Sequence, residues 1–498
     1  MRIGQAISDK GLPRREAQAL RAAVVVIATV LLGACANLTT GSGGPTSAVF
    51  NAGGVAGGSQ KIDGQEHARI VSAYGGVYHN DQVEQALVPV VSRIVATSER
   101  PEQAYRITIL NAPAVNAFAL PGGFLYVTRG LLALADDSAE VAAVLAHEMA
   151  HVTADHAVER QNKARNALIV SRVVSDVLEG DASGQLALAS SRRSLATFSR
   201  RQELEADAIG VGTIGRAGYD PFAAARFLSA MGEYADYRTA LTLRDQRPDF
   251  LSSHPTTPDR ISFAEQAARQ YGAPGIGDKD RQRFLDGVDG MLFGDDPAQG
   301  FVRERSYVHP RLGVGFTVPE GFIIDNASDA VLATGVNGTA LRFDAVGLGR
   351  GTDLADYLKS GWVNGLDESS ITSFSVNGLK AAAARAKAKG WVFEIAVIQV
   401  NGGATYRFIF ANEIASPDFL QAARQTVDSF KTLSAREVSE LKELKIKVVT
   451  AKRGDTVAKL AAKMRGVDRP RRLLLALNRL EPNGRIAVGT PIKIVTDR

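Results

Sequence analysis

His147-Glu148-Met149-Ala150-His151 decides how this chain is read. The pattern is H-E-x-x-H. Just upstream, Asp137-Ser138-Ala139-Glu140 has the form of a capping box, and Val141-Ala142-Ala143-Val144-Leu145-Ala146 follows without glycine or proline. The motif therefore sits inside a helix. Residues four apart share a helical face, so both imidazoles can point at one ion, with Glu148 about a third of a turn round. The neighbours are mostly Ala and Val, so the helix is expected to be buried, where imidazoles need partners.

Working outward, the 498 residues contain one Cys and seven His. That excludes a disulfide framework, a cysteine-based zinc site and an iron–sulfur cluster. Any metal must be held by His and carboxylates. Zinc needs a third protein ligand and an open position for water. Ala154 and Ala157 stand where a longer H-E-x-x-H-x-x-G-x-x-H motif places its Gly and third His. His156, five residues past His151, is expected on another side of the helix. The better candidate lies in Arg200-Arg201-Gln202-Glu203-Leu204-Glu205-Ala206-Asp207. Glu203 and Asp207 are four apart on one helical face, and Glu205 points elsewhere. On this reading Glu203 binds the metal and Asp207 accepts a hydrogen bond from a ligating His, fixing its tautomer.

Four segments in order carry a resemblance. They are Asn116-Ala117-Phe118-Ala119-Leu120-Pro121-Gly122-Gly123, His147 to His151, Glu203 to Asp207, and Ser253-His254-Pro255 followed by Arg260-Ile261. Together they resemble the M48 zinc metallopeptidases over about residues 65–270, and the lack of long apolar segments resembles the soluble branch of that family. The resemblance implies a mainly α-helical α+β zincin domain of gluzincin type. It implies one zinc ion held by His147, His151 and Glu203, with Glu148 and Asp207 in the catalytic set. Glu148 is then the general base that takes a proton from water and passes it to the leaving amine. His254 or Arg260 is the expected oxyanion donor, and His254 is alternatively a fourth metal ligand that a substrate displaces. In that second role, His254→Ala should raise basal proteolysis. Asn116 to Leu120 is expected to pair its backbone with an extended substrate strand.

The N-terminus reads as an export signal. Arg14, Arg15 and Arg21 precede the apolar run from Ala22 to Ala34, too short to span a bilayer but suited to a signal peptide. It ends Leu32-Gly33-Ala34-Cys35, which resembles a lipobox, so residues 1–35 are expected to be a lipoprotein signal with Cys35 the lipidated residue. Ala36 after the cysteine suggests an outer-membrane lipoprotein facing the periplasm of a Gram-negative bacterium. Residues 36–62 are Gly/Ser-rich and read as a flexible tether. The peptidase domain is placed at 63–275 and a Gly/Asp-rich linker at 276–304.

Residues 305–436 alternate like strands in Phe316-Thr317-Val318, Trp391 to Val400 and Thr405 to Phe410, with helical stretches near Leu354–Trp362 and Asp418–Leu433. A small α/β domain is expected, weakly similar to PsbP-like domains through Pro319-Glu320-Gly321-Phe322 and Asp428-Ser429-Phe430. Residues 445–498 resemble a βααβ LysM module, a class that binds peptidoglycan, although they contain no aromatic residue. They hold 14 Lys/Arg against 4 Asp/Glu, a balance of +10, so the other 444 residues sum to 5 − 10 = −5. The basic character belongs to this tail. An export signal makes nucleic acid an improbable partner. The expected partners are unfolded or misassembled envelope proteins, the membrane through Cys35, and peptidoglycan through the tail. Competing functions are a cell-wall peptide hydrolase and a non-enzymatic assembly chaperone or scaffold.

Overall fold

The computed structural model describes residues 49–50, 64–156, 198–241 and 250–497, apart from positions 327–329, 336–337, 350, 389, 401–402 and 468. Residues 1–48, Cys35 included, and most of the tether lie outside the described residues. No described helix is long and apolar enough to cross a membrane.

Helices α1 (Gly64–Ala73) and α2 (Asp81–Ala96) lie between the first two strands of a four-stranded sheet of order β1 (Val49–Phe50), β2 (Tyr105–Leu110), β4 (Phe124–Thr128), β3 (Ala117–Leu120). β2 and β4 run parallel, whereas β3 folds back on β4 as a hairpin with Leu120 opposite Phe124. The turn is Pro121-Gly122-Gly123. Gly123 has φ +82, and a Cβ added there would lie 1.8 Å from the Ala104 carbonyl oxygen, so only glycine fits. Among the described residues, β3 is left at the sheet edge.

Helices α3 (Arg129–Leu134) and α4 (Ser138–Thr153) follow, then α5 (Arg200–Arg216), α6 (Ala223–Leu241), α7 (Phe250–Ser253) and α8 (Pro258–Ala268). The H-E-x-x-H helix is α4, buried from Ser138 to His151. Its cap is half of the expected box. Asp137 accepts from the Glu140 backbone N–H at 2.9 Å, but the Glu140 carboxylate accepts from the Asp136 N–H instead of Asp137. α5 packs closely on α4 because Gly210 faces it. A Cβ at Gly210 would lie 3.1 Å from the His147 backbone nitrogen. That close approach lets Asp207 and Glu203, one and two turns earlier on α5, reach the imidazole layer of α4.

Residues 276–304 are not the plain linker that their Gly/Asp content suggested. They contain α9 (Arg281–Val288), β5 (Leu292–Phe293) and β6 (Phe301–Arg303). Phe284, Leu285, Val288 and Met291 join the same core as Leu87, Val144 and Leu145. Their helical spacing buries a stripe that the neighbouring glycines obscure.

The α/β part has two sheets. β7 (Ser306–His309) and β8 (Val314–Thr317) join β6 and β16 (Lys431–Thr432) in one. The other is seven-stranded and antiparallel, ordered β12 (Leu366–Val376), β13 (Leu379–Ala388), β14 (Trp391–Gln399), β15 (Ala404–Asn412), β11 (Ala340–Gly347), β10 (Val331–Thr334), β9 (Ile323–Asn326). Helix α10 (Leu354–Lys359) covers β12 and β13, α11 (Pro417–Asp428) packs beside β8, β14 and β15, and α12 (Ala435–Glu440) leads out.

The C-terminal segment has the order β17 (Leu444–Thr450), α13 (Val457–Ala461), α14 (Pro470–Asn478), β18 (Pro491–Thr496). β17 and β18 pair antiparallel, and β17 also pairs with β5, giving a sheet ordered β18-β17-β5. Ile446 belongs to the peptidase core itself.

Candidate metal centre

α4 supplies His147, Glu148 and His151; α5 supplies Glu203 and Asp207; His254 follows α7, and Arg260 lies on α8. All seven are buried. One donor atom each from His147, His151, Glu203 and His254 can be chosen within 4.8 Å of one another. His147 Nε2 lies 3.0 Å from His151 Nε2 and 3.3 Å from His254 Nδ1. Glu203 Oε1 is 2.9 Å from His254 Nδ1 and 3.6 Å from His151 Nε2. The carboxylate is therefore within bonding reach of the imidazole layer.

These separations test whether zinc fits. A tetrahedral ion with bonds of about 2.0–2.1 Å needs donors roughly 3.4 Å apart. The observed spacings bracket that value. Protonation agrees too. Burial lowers the pKa of His147 and, together with the neighbouring imidazoles, of His151, so both rings are neutral and keep lone pairs for a cation. Burial first, then Glu203, push Glu148 well above the usual carboxylate range, and its Oε1 has no hydrogen-bond partner. Burial likewise raises Glu203. Two buried carboxyl groups held above their ordinary range are what a divalent cation between them would relieve.

The outer nitrogens are oriented by their own partners. His147 Nδ1 lies 2.9 Å from Asp207 Oδ1, so this N–H donates and leaves Nε2 free for the cluster. Burial would raise Asp207, but hydrogen bonds from Arg260 and His147 outweigh it and hold Asp207 at about 2. Arg260 binds both Asp207 oxygens, at 2.8 and 2.7 Å, and sits 2.6 Å from Glu203 Oε2. Its guanidinium is held mainly by carboxylates, with Nη1 also donating to the Pro255 carbonyl at 3.2 Å, so in this geometry Arg260 neutralises Asp207 and Glu203.

His156 corrects the sequence reading. α4 ends at Thr153, and Asp155 takes a left-handed conformation (φ 53), which swings His156 back beneath His151 instead of round the helix. The two Nδ1 atoms are 2.9 Å apart, and Glu205 stands 3.5 Å from His156 Nε2. His156 thus does for His151 what Asp207 does for His147. The Phe198 ring stacks on His151, 3.9 Å between centroids. Phe250 stacks on His254 at 4.4 Å. β3 packs along α4, and its Ala119 backbone offsets part of the rise at Glu148, which places the strand edge beside that carboxyl group.

With the geometry in hand, the sequence comparisons agree. Peptidase family M48 matches residues 81–268. This segment is an M48 peptidase domain. The beta-barrel assembly-enhancing protease of Yersinia pestis is similar, at 29% identity over 217 residues, 42% of this chain and 43% of that protein. The mitochondrial metalloendopeptidase OMA1 of Schizosaccharomyces pombe is 34% identical over 178 residues, 36% of this chain and 50% of its own length. The chain thus spans half or less of these M48 relatives. The solution structure of cyanobacterial PsbP from Synechocystis aligns with 26% of this chain and 91% of its own, at 12% identity and a TM-score of 0.21. No likeness of fold is inferred at that score.

Proposed function

We propose that this chain is a zinc-dependent endopeptidase acting on unfolded or stalled envelope proteins at the periplasmic face of the outer membrane. One observation carries the reading: the imidazoles of His147 and His151 and the Glu203 carboxylate converge with the spacing of zinc donors, beside a Glu148 oxygen that accepts no hydrogen bond and has His254 Nε2 3.5 Å away. Zinc held there supplies Lewis acidity, polarising the scissile carbonyl and acidifying water. Glu148, raised by its surroundings, is placed to accept a proton near neutral pH and return it to the leaving amine. Asp207 and His156 hold the two imidazoles in their ligating orientation.

His254 lies in the ligand cluster, 2.9 Å from Glu203, and this favours the fourth-ligand role over that of oxyanion donor. A closed four-donor set is a resting state, so His254→Ala should raise basal cleavage of an unfolded protein severalfold. Unchanged or lower cleavage would count against the latch.

The substrate class rests on the open edge of β3 beside Glu148, since strand addition recognises extended backbone more than sequence. The bacterial relative named for beta-barrel assembly supports an envelope client. Anchoring through Cys35 completes the proposal. Incubating the purified chain separately with a denatured outer-membrane protein and with purified sacculi, each with and without chelator, tests it. Chelator-sensitive cleavage of the protein alone is expected. Peptide release from sacculi would instead favour a cell-wall hydrolase, and full complementation of a deletion strain by Glu148→Gln would favour a scaffold.

A further inference from the structure

The C-terminal segment was expected to be a separate basic module. Its most basic residues by position are not its most interesting ones, because two of its cations point inward. Arg479, just past α14, places both terminal nitrogens on the Glu140 carboxylate, a contact spanning 339 residues of sequence. Glu140 is fully buried in the first turn of α4. Lys493, in β18, is also fully buried, and its Nζ donates to the carbonyls of Ala133 at 2.9 Å, Leu134 at 3.3 Å and Ala135 at 2.6 Å. Those carbonyls close the C-terminus of α3, the helix that feeds α4.

Neither contact is accidental surface pairing. Arg479 adopts a left-handed conformation (φ 50) as the C-cap of α14, where its backbone N–H donates to the Leu475 carbonyl. Lys493 is locked from behind as well. Its N–H donates to Asn478 Oδ1 at 2.7 Å, and Asn478 Nδ2 donates to the Lys493 carbonyl at 2.8 Å. The groups facing the amine are Asp136, Glu140, Arg281 and Arg479, and burial brings it down to about 8, so it remains largely charged at neutral pH. Arg281 joins the same joint, holding Asp136 at 2.9 Å and the Pro491 carbonyl at 3.2 Å.

We propose that residues 444–496 are a fixed brace of the peptidase, in which Arg479 and Lys493 are positioning residues for the H-E-x-x-H helix. Glu140 and His147 are seven residues apart, two helical turns on one face, so a shift at the first turn moves the imidazole by a comparable amount. The brace grips the α3–α4 joint from both sides, and the two cations act on the reaction only through α4. The metal-dependent part of this inference rests on the zinc-peptidase reading; the mechanical part does not.

The test uses the full chain with Arg479→Met, Lys493→Met and Arg479→Lys, and Arg472→Met on the exposed side of α14 as control. Metal affinity is measured by competition against a chromophoric zinc chelator, kcat and KM on an unfolded protein, and hydrogen exchange in residues 138–144. Arg479→Met and Lys493→Met should each weaken zinc about 10-fold, the scale of lost ligand support, and lower kcat with KM within about twofold. Arg479→Lys should recover part of both. Wild-type affinity and kcat in both Met variants, at a temperature where they are folded, would overturn the proposal. Should the Met variants fail to fold, exchange in the unaltered chain decides. Residues 138–144 and 444–496 should open as one unit, and independent opening of the C-terminal segment would refute a brace. If wild-type chain binds zinc but cleaves nothing, the peptidase reading fails, while affinity and exchange still report on the brace.

Discussion

Glu148→Gln should abolish turnover while leaving the metal-free chain more stable. The side chain is nearly isosteric, so the layer of His147, His151 and Glu203 has no steric reason to move. What disappears is a group able to take a proton, and loss of a positioned general base costs about 10²–10⁴-fold in kcat. Stability runs the other way. Burial and the neighbouring Glu203 disfavour the Glu148 carboxylate, which is why its pKa is pushed up. The amide removes that penalty, so the melting temperature in chelator should rise. Zinc should narrow the difference, because a cation favours the charged parent. Paired kinetics and melts with and without chelator check both signs. A Gln variant retaining more than about a tenth of the parent kcat would remove Glu148 from the base role.

Arg260→Met should be the most damaging single change to the fold of this region. Arg260 is buried at 3% exposure and neutralises Asp207 and Glu203 together. Removing it strands two buried carboxylates, and breaking a buried pair in this way costs about 3–5 kcal/mol. The pH dependence has a definite sign. Asp207 sits at about 2 in the folded chain against an ordinary value of 3.8, so it stabilises the fold above pH 4, and that contribution is lost as pH falls towards 2. The variant's deficit should therefore be full at neutral pH and shrink below pH 4. It should also be smaller with zinc than in chelator, since a cation takes over part of the neutralisation. Chemical denaturation at several pH values, with and without zinc, would measure this. An equal deficit at pH 7 and pH 3 would contradict the electrostatic account.

Local patterns carried the core of the site. The spacing of His147 and His151, and of Glu203 and Asp207, follows from helical periodicity, and both helices are present. His156 was misjudged because periodicity was extended past the end of the helix; the left-handed Asp155 that redirects it has no distinctive sequence signal. Glycine content hid α9, although Phe284, Leu285 and Val288 carry a helical stripe. Leu379–Ala388 is rich in Ala and Lys, a helix-former's composition, yet forms an inner strand. Ala382, Ala384 and Ala386 are small enough to let Leu354 and Leu358 of α10 pack onto them, so tertiary contact overrides propensity. The βααβ order of the tail was legible, but its attachment was not. A contact such as Arg479 with Glu140 joins distant parts of the chain, and no window of sequence records it.

The rim of β3, unpaired among the described residues, has a consequence for which clients would be accepted. A chain can lie along it only where several consecutive peptide groups are straight and unclaimed by other partners. A segment already wound into a helix, or zipped into its own barrel, has no donors or acceptors to offer, whatever its side chains. Under the proposed function, selection at such a rim would be a matter of timing: polypeptides that finish folding quickly would pass untouched, and those that linger half-made would be cut.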